Sequence, residues 1–192
     1  MTGGPSVGDL VAHLPRTRAA LLYAQRQHAG QRRSDGAPFI AHPLEVARLL
    51  HEAGAADQVV AAGLLHDTIE KTSATASELH GRFGPEVTSL VLAVTEDERI
   101  AGYRARKAAL RAQVSRAGDQ ALLLFAADKV SKAREFQVGP HPVRRRRLSH
   151  YRRCLELLES RLPGTPLVAQ LRAELEILAA TAGDRPVLAQ AT

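Results

Sequence analysis

This chain of 192 residues has a single cysteine, Cys154, so no disulfide framework is open to it and a reducing, cytoplasmic setting is expected. It lacks an apolar stretch long enough for a signal peptide, and no segment approaches the ~20 apolar residues of a membrane span. The expectation is a protein neither exported nor embedded. Lysine is scarce: Lys71, Lys107, Lys129 and Lys132 are the only ones, and arginine supplies most of the positive charge behind a formal net charge of +6. That charge favours anionic partners such as nucleotides, other phosphorylated metabolites or nucleic acid, without choosing among them. Sustained period-two alternation with β-branched residues is missing, as are internal repeats and any linker long enough to divide domains. What is present is 45% hydrophobic residues, recurring at helical spacing and sufficient for one domain with a substantial core.

The reading is a single all-α domain over residues 1–192. Helices are predicted over about 16–29, 43–53, 57–70, 74–83, 85–94, 100–116, 119–136, 142–162 and 166–181 of the sequence. Pro43 is expected to open the second and Asp57 to cap the third, with Gly84, Gly118, Gly139 and Gly164 as punctuation. Both termini, rich in Gly, Ala, Thr and Pro, are expected to be loose.

The third predicted helix, "ADQVVAAGLLHDTIE", is apolar almost all round, yet it ends in His66, Asp67 and Glu70. Such a set is costly to bury unless something compensates it, and a metal ion would. At ~100° per residue, His66 and Asp67 are angular neighbours, and Glu70 follows them by four and three residues, so all three can face one point. A hard divalent cation accepts imidazole nitrogen and carboxylate oxygen but needs more ligands than one helix supplies. "PFIAHPLEVARLL" offers His42 at a helix entrance, and "LLLFAADKVSKAREF" offers Asp128 within another apolar helix.

The order His42, His66-Asp67, Asp128 resembles the HD superfamily of metal-dependent phosphohydrolases. "HAGQRRSDGAPFIAHPLEVARLL", "AAGLLHDTIE", "FGPEVTSLVLAVTE" and "LLLFAADK" bring it closest to the hydrolase domain of RelA/SpoT proteins and to stand-alone small alarmone hydrolases, over about residues 17–136. The resemblance implies an all-α HD-domain bundle of about 8–10 helices. It implies one Mn²⁺, or another divalent transition metal, held by His42, His66, Asp67 and Asp128. In that family the reaction is removal of pyrophosphate from the 3′ position of (p)ppGpp. Glu70 matches the acid that positions or deprotonates the attacking water, and Arg33 the arginine that stacks on the base. Ser34 and Lys129 fall at neighbouring substrate positions.

The pattern also departs from the family's usual one. Lys71 stands where His-Asp-x-x-Glu-Asp ends in Asp. Val130, Ser131 and Lys132 stand where leucine, an aromatic or histidine, and a substrate-contacting asparagine are usual. Ser34 and Asp35 replace a lysine or arginine and a serine. Lys71 and Lys132 each follow a proposed ligand aspartate by four residues, which suits an i,i+4 ion pair, binding of substrate phosphate, or satisfaction of the aspartates in place of a metal. A different nucleotide, such as a nucleoside monophosphate or a nicotinamide dinucleotide phosphate, is therefore an alternative substrate, and an inactive nucleotide-binding or regulatory module a further alternative. The small-molecule nucleotide is the expected partner.

Elsewhere, His28 either supports Arg33 or touches substrate, or it ends the first helix. His13, His51, His80, His141 and His150 are read as surface or capping residues and Cys154 as core. The run Arg144–Arg147 is read as a solvated face rather than a nucleic-acid contact, and Arg104, Arg106 and Lys107 as helix-surface charge, with phosphate contacts as the alternative.

Overall fold

The computed structural model describes residues 13–139 and 143–181. These form helices only: α1 (Pro15–Gln27), α2 (Ala41–Glu52), α3 (Asp57–Leu65), the single turn α4 (Thr68–Lys71), α5 (Ala76–Val94), α6 (Tyr103–Ala117), α7 (Asp119–Val138), α8 (Arg145–Arg161) and α9 (Pro166–Thr181). The only β pairing among the described residues is an isolated antiparallel bridge, Arg32 with Pro38, which pinches the loop between α1 and α2. No helix among them is long and apolar enough to cross a membrane. The expected looseness of the termini concerns 1–12 and 182–192, which lie outside the described residues, as does His141.

Two helices organise the core. In α3 every residue from Val59 to Leu65 is buried, because α1, α2, α5 and α7 surround it. Gly63 permits the approach of α2: a Cβ there would meet Leu50 Cδ1 at 2.7 Å and Val46 Cγ1 at 3.3 Å. The central helix α7 buries Leu122, Leu124, Phe125, Ala126, Ala127 and Val130 and packs against α2, α3, α5, α6, α8 and α9. Burying faces of this size is what holds apolar helices together, at roughly 25 cal/mol per Å² removed from water.

The predicted boundaries at Gly84 and at 166–181 match the structure: α5 bends at Gly84, whose φ of 83° favours glycine, and Pro85 restarts the helix. Three expectations are corrected. Asp57 does not cap its own helix. Its carboxylate instead accepts the Arg16 and Thr17 backbone N–H groups at 3.0 and 2.9 Å and the Thr17 hydroxyl at 2.7 Å, capping α1 from across the core. Pro43 sits in the third position of α2 rather than opening it, which costs nothing because first-turn donors have no helical acceptor. The third helix stops at Leu65 instead of Glu70: the Thr68 hydroxyl takes the Leu65 carbonyl at 2.6 Å, and the chain restarts as α4.

Candidate active site

His66 and Asp67 occupy this break between α3 and α4, and α2 and α7 bring His42 and Asp128 to the same place. The Nε2 atoms of His42 and His66 are 3.1 Å apart. Asp128 Oδ1 is 3.3 Å from the first and 3.6 Å from the second, and the ligand atoms of these three residues all lie within 4.8 Å of one another. Asp67 Oδ2 is 3.6 Å from both imidazole nitrogens and, although buried, has no hydrogen-bond partner. Atoms bound at about 2.0–2.2 Å to one ion stand about 3–3.6 Å apart, so a divalent cation fits this set and would satisfy the orphaned oxygen. The outer nitrogens are tied: His66 Nδ1 donates to the Gly63 carbonyl at 2.7 Å, and His42 Nδ1 lies 2.8 Å from Ser131 Oγ.

Burial lowers His42, whereas at His66 burial is outweighed by the Asp67 and Asp128 carboxylates, which hold the imidazole up to about 9. Without a metal, a proton on His66 thus balances the acids. Burial alone would raise Asp128, but the Lys129 ammonium, donating to Oδ2 at 2.5 Å, and the two histidines keep it well below the usual carboxylate range. Lys129 is itself buried over the Phe125 ring, 4.5 Å from its centroid. Its charge is directed at Asp128.

Glu70 lines the adjoining cavity. One of its oxygens accepts the Glu96 backbone N–H at 2.5 Å, and burial raises its carboxyl above the ordinary glutamate value. The i,i+4 ion pairs, one of the three alternatives for Lys71 and Lys132, do not form among the described residues. Lys71 is exposed at the cavity wall and makes no side-chain ion pair or hydrogen bond among the described residues. Lys132 pairs with Glu135 at 2.8 Å and lies over the Phe39 ring. Asp67 directs Oδ2 at the two imidazoles rather than at Lys71, and Asp128 is already held by Lys129.

The cavity has a volume of about 810 Å³ and carries Arg33, Ser34 and Lys132 on one wall. Asp35 holds the Arg33 guanidinium at 2.6 Å, so the residue at one of the departures restrains the arginine expected to stack on a base. His28 does end α1, and it also packs on Phe39 with ring centroids 4.7 Å apart. Other lining residues extend or correct the readings from sequence. Arg144, Arg146 and Arg147 are exposed, as a solvated face requires, and they also line the cavity. Lys107 also lines it, ion-paired to Glu96 together with Arg106. His150 is no surface residue: it is buried between Tyr103 and Tyr151, takes the Arg111 guanidinium at 2.9 Å, and is lowered to about 2 by burial and by the cations around it. Its only sequence signal was its helical spacing from Cys154, which is core as expected. Glu45 and Glu96, and the contacts of Ser131, escaped sequence reasoning because the partners are distant in the chain.

The HD domain family model matches residues 20–154. Human guanosine-3′,5′-bis(diphosphate) 3′-pyrophosphohydrolase MESH1 is 41% identical over 117 residues, covering 59% of this chain and 65% of that protein. The GTP pyrophosphokinase rsh of Brucella ovis is 42% identical over 81 residues, 42% of this chain, which spans only 11% of that relative's length. Among solved structures, a metazoan ortholog of SpoT described as hydrolysing ppGpp superposes with a TM-score of 0.72 at 26% identity, covering 96% of this chain and 100% of its own.

Proposed function

Since the chain belongs to the HD domain family, we propose that it is a metal-dependent nucleotide phosphohydrolase whose substrate is (p)ppGpp, from which it removes the 3′ pyrophosphate. The observation that carries this reading is the meeting of the His42, His66, Asp67 and Asp128 ligand atoms beside a cavity lined by Glu70. The human relative, named a 3′-pyrophosphohydrolase, supports the substrate. His42, His66, Asp67 and Asp128 hold the ion, proposed to be Mn²⁺. Once bound, such an ion lowers the pKa of water and neutralises phosphate charge.

The chain's own groups supply the rest. Lys129 keeps Asp128 ionised and therefore able to act as a ligand. Glu70, with its carboxyl raised by burial and one oxygen anchored on the Glu96 N–H, takes the proton of the attacking water. Lys71, Lys132 and the α8 arginines bind phosphate oxygens, and Arg33 with Ser34 meets the nucleoside. No covalent nucleophile is required. A cytoplasmic location suits a nucleotide substrate.

One observation favours a second reading, a phosphatase for another nucleotide: the unpaired Lys71 ammonium stands beside Glu70 where the resembled family carries an aspartate. Purified protein supplied with Mn²⁺ and assayed against (p)ppGpp and a nucleotide panel separates the two. Pyrophosphate release from the alarmone supports the first, and orthophosphate from a nucleoside monophosphate or nicotinamide dinucleotide phosphate the second. Absence of bound divalent metal after metal-supplemented purification would instead indicate an inactive binding module.

A further inference from the structure

We propose that Ser131 and Glu45 form a hydrogen-bond relay that fixes His42 in the tautomer presenting its Nε2 lone pair to the metal, making both positioning residues of the site. The inference rests on the metal site proposed above.

Ser131 Oγ, buried on α7, is 2.8 Å from His42 Nδ1 and 2.8 Å from Glu45 Oε2. A hydroxyl has one proton to give, and a carboxylate beside a guanidinium only accepts. Ser131 must therefore donate to Glu45 and accept from His42, which places the imidazole proton on Nδ1. The lone pair of Nε2 is then left facing His66 Nε2 and Asp128 Oδ1 at 3.1 and 3.3 Å. His66 needs no such device, since the Gly63 carbonyl accepting from its Nδ1 can never donate. Arg134 steadies the far end of the relay by donating to Glu45 Oε1 at 3.1 Å while its Nε holds Glu174 at 2.7 Å. The serine departs from the aromatic residue or histidine that is usual at this position in the resembled family.

Partners of this kind orient metal-bound imidazoles, and their loss typically weakens metal affinity about 10–100-fold. Mn²⁺ titrations followed by the EPR signal of the free ion should show that loss in Ser131→Ala and a smaller one in Glu45→Ala, where the freed hydroxyl can turn to donate to His42. Ser131→Thr, which keeps the hydroxyl, should restore affinity. Wild-type affinity in both truncations, with unchanged helicity and melting, would overturn the relay. Should Ser131→Ala fail to fold, the half-exposed Glu45 provides the comparison alone. Imidazole ¹⁵N shifts of metal-free protein test the tautomer without any ion. A His42 Nδ1–H form in the wild type and a mixture in Ser131→Ala support the proposal, and a wild-type Nε2–H form rejects it. A chain that bound no Mn²⁺ would count against the phosphohydrolase reading, while these shifts would still decide the relay.

Discussion

At Glu70, burial lifts the carboxyl above the 4.5 of a free glutamate, and the Glu96 N–H and the Lys71 charge oppose it only in part. A base is active when unprotonated, so turnover should fall as pH drops through the Glu70 pKa. In metal-free protein, the carboxyl ¹³C shift of Glu70 should titrate above the 4.5 of a free glutamate. Glu70→Gln should lower kcat by about 10²–10⁴-fold, while elemental analysis finds metal content unchanged. Full activity in that variant would transfer the base to another group. Lys71 and Lys132 test the choice of substrate. Because neither is tied to a proposed ligand aspartate, the double change Lys71→Asp, Lys132→Asn should move the ratio of kcat/KM toward (p)ppGpp. An unchanged ratio would mean that both lysines are only solvated charge.

Between elements, α2 packs tightly on α3 at Gly63, three residues before His66 on the chain and beside the helix that carries His42. Gly63→Ala drives a methyl to 2.7 Å from Leu50 Cδ1. It should lower stability by about 1–3 kcal/mol, read as a fall in Tm, and weaken Mn²⁺ binding because the two imidazoles move apart. Much of this arrangement was legible from sequence. The His-Asp pair at the end of an apolar run, His42 at a helix entrance and Asp128 within α7 are local signals of polar groups where a core pattern continues. The glycine at the α5 bend and the Pro166 start of α9 were equally plain. What stayed hidden depends on chain segments that meet only after folding. Asp57 satisfies donors some forty residues earlier, Ser131 faces Glu45, and α8 folds back so that three exposed arginines also line the cavity.

Over the whole molecule, the place where the proposed substrate enters is a cavity with basic walls, lined by Arg32, Arg33, Lys107, Lys132, Arg144, Arg146 and Arg147. Such walls suit a ligand bearing several phosphates. Their attraction is screened over about 8–10 Å at moderate ionic strength, so KM for a polyphosphorylated nucleotide should rise severalfold between about 0.05 and 0.3 M salt, with kcat nearly constant. A salt-independent KM would deny these walls a part in capture. The family match ends at residue 154, whereas α9 begins at Pro166. Through Glu174, Arg134 and Glu45, that helix nevertheless leans on the imidazole of His42. A version trimmed to the matched segment would therefore keep every proposed ligand and hold a cation with a looser grip.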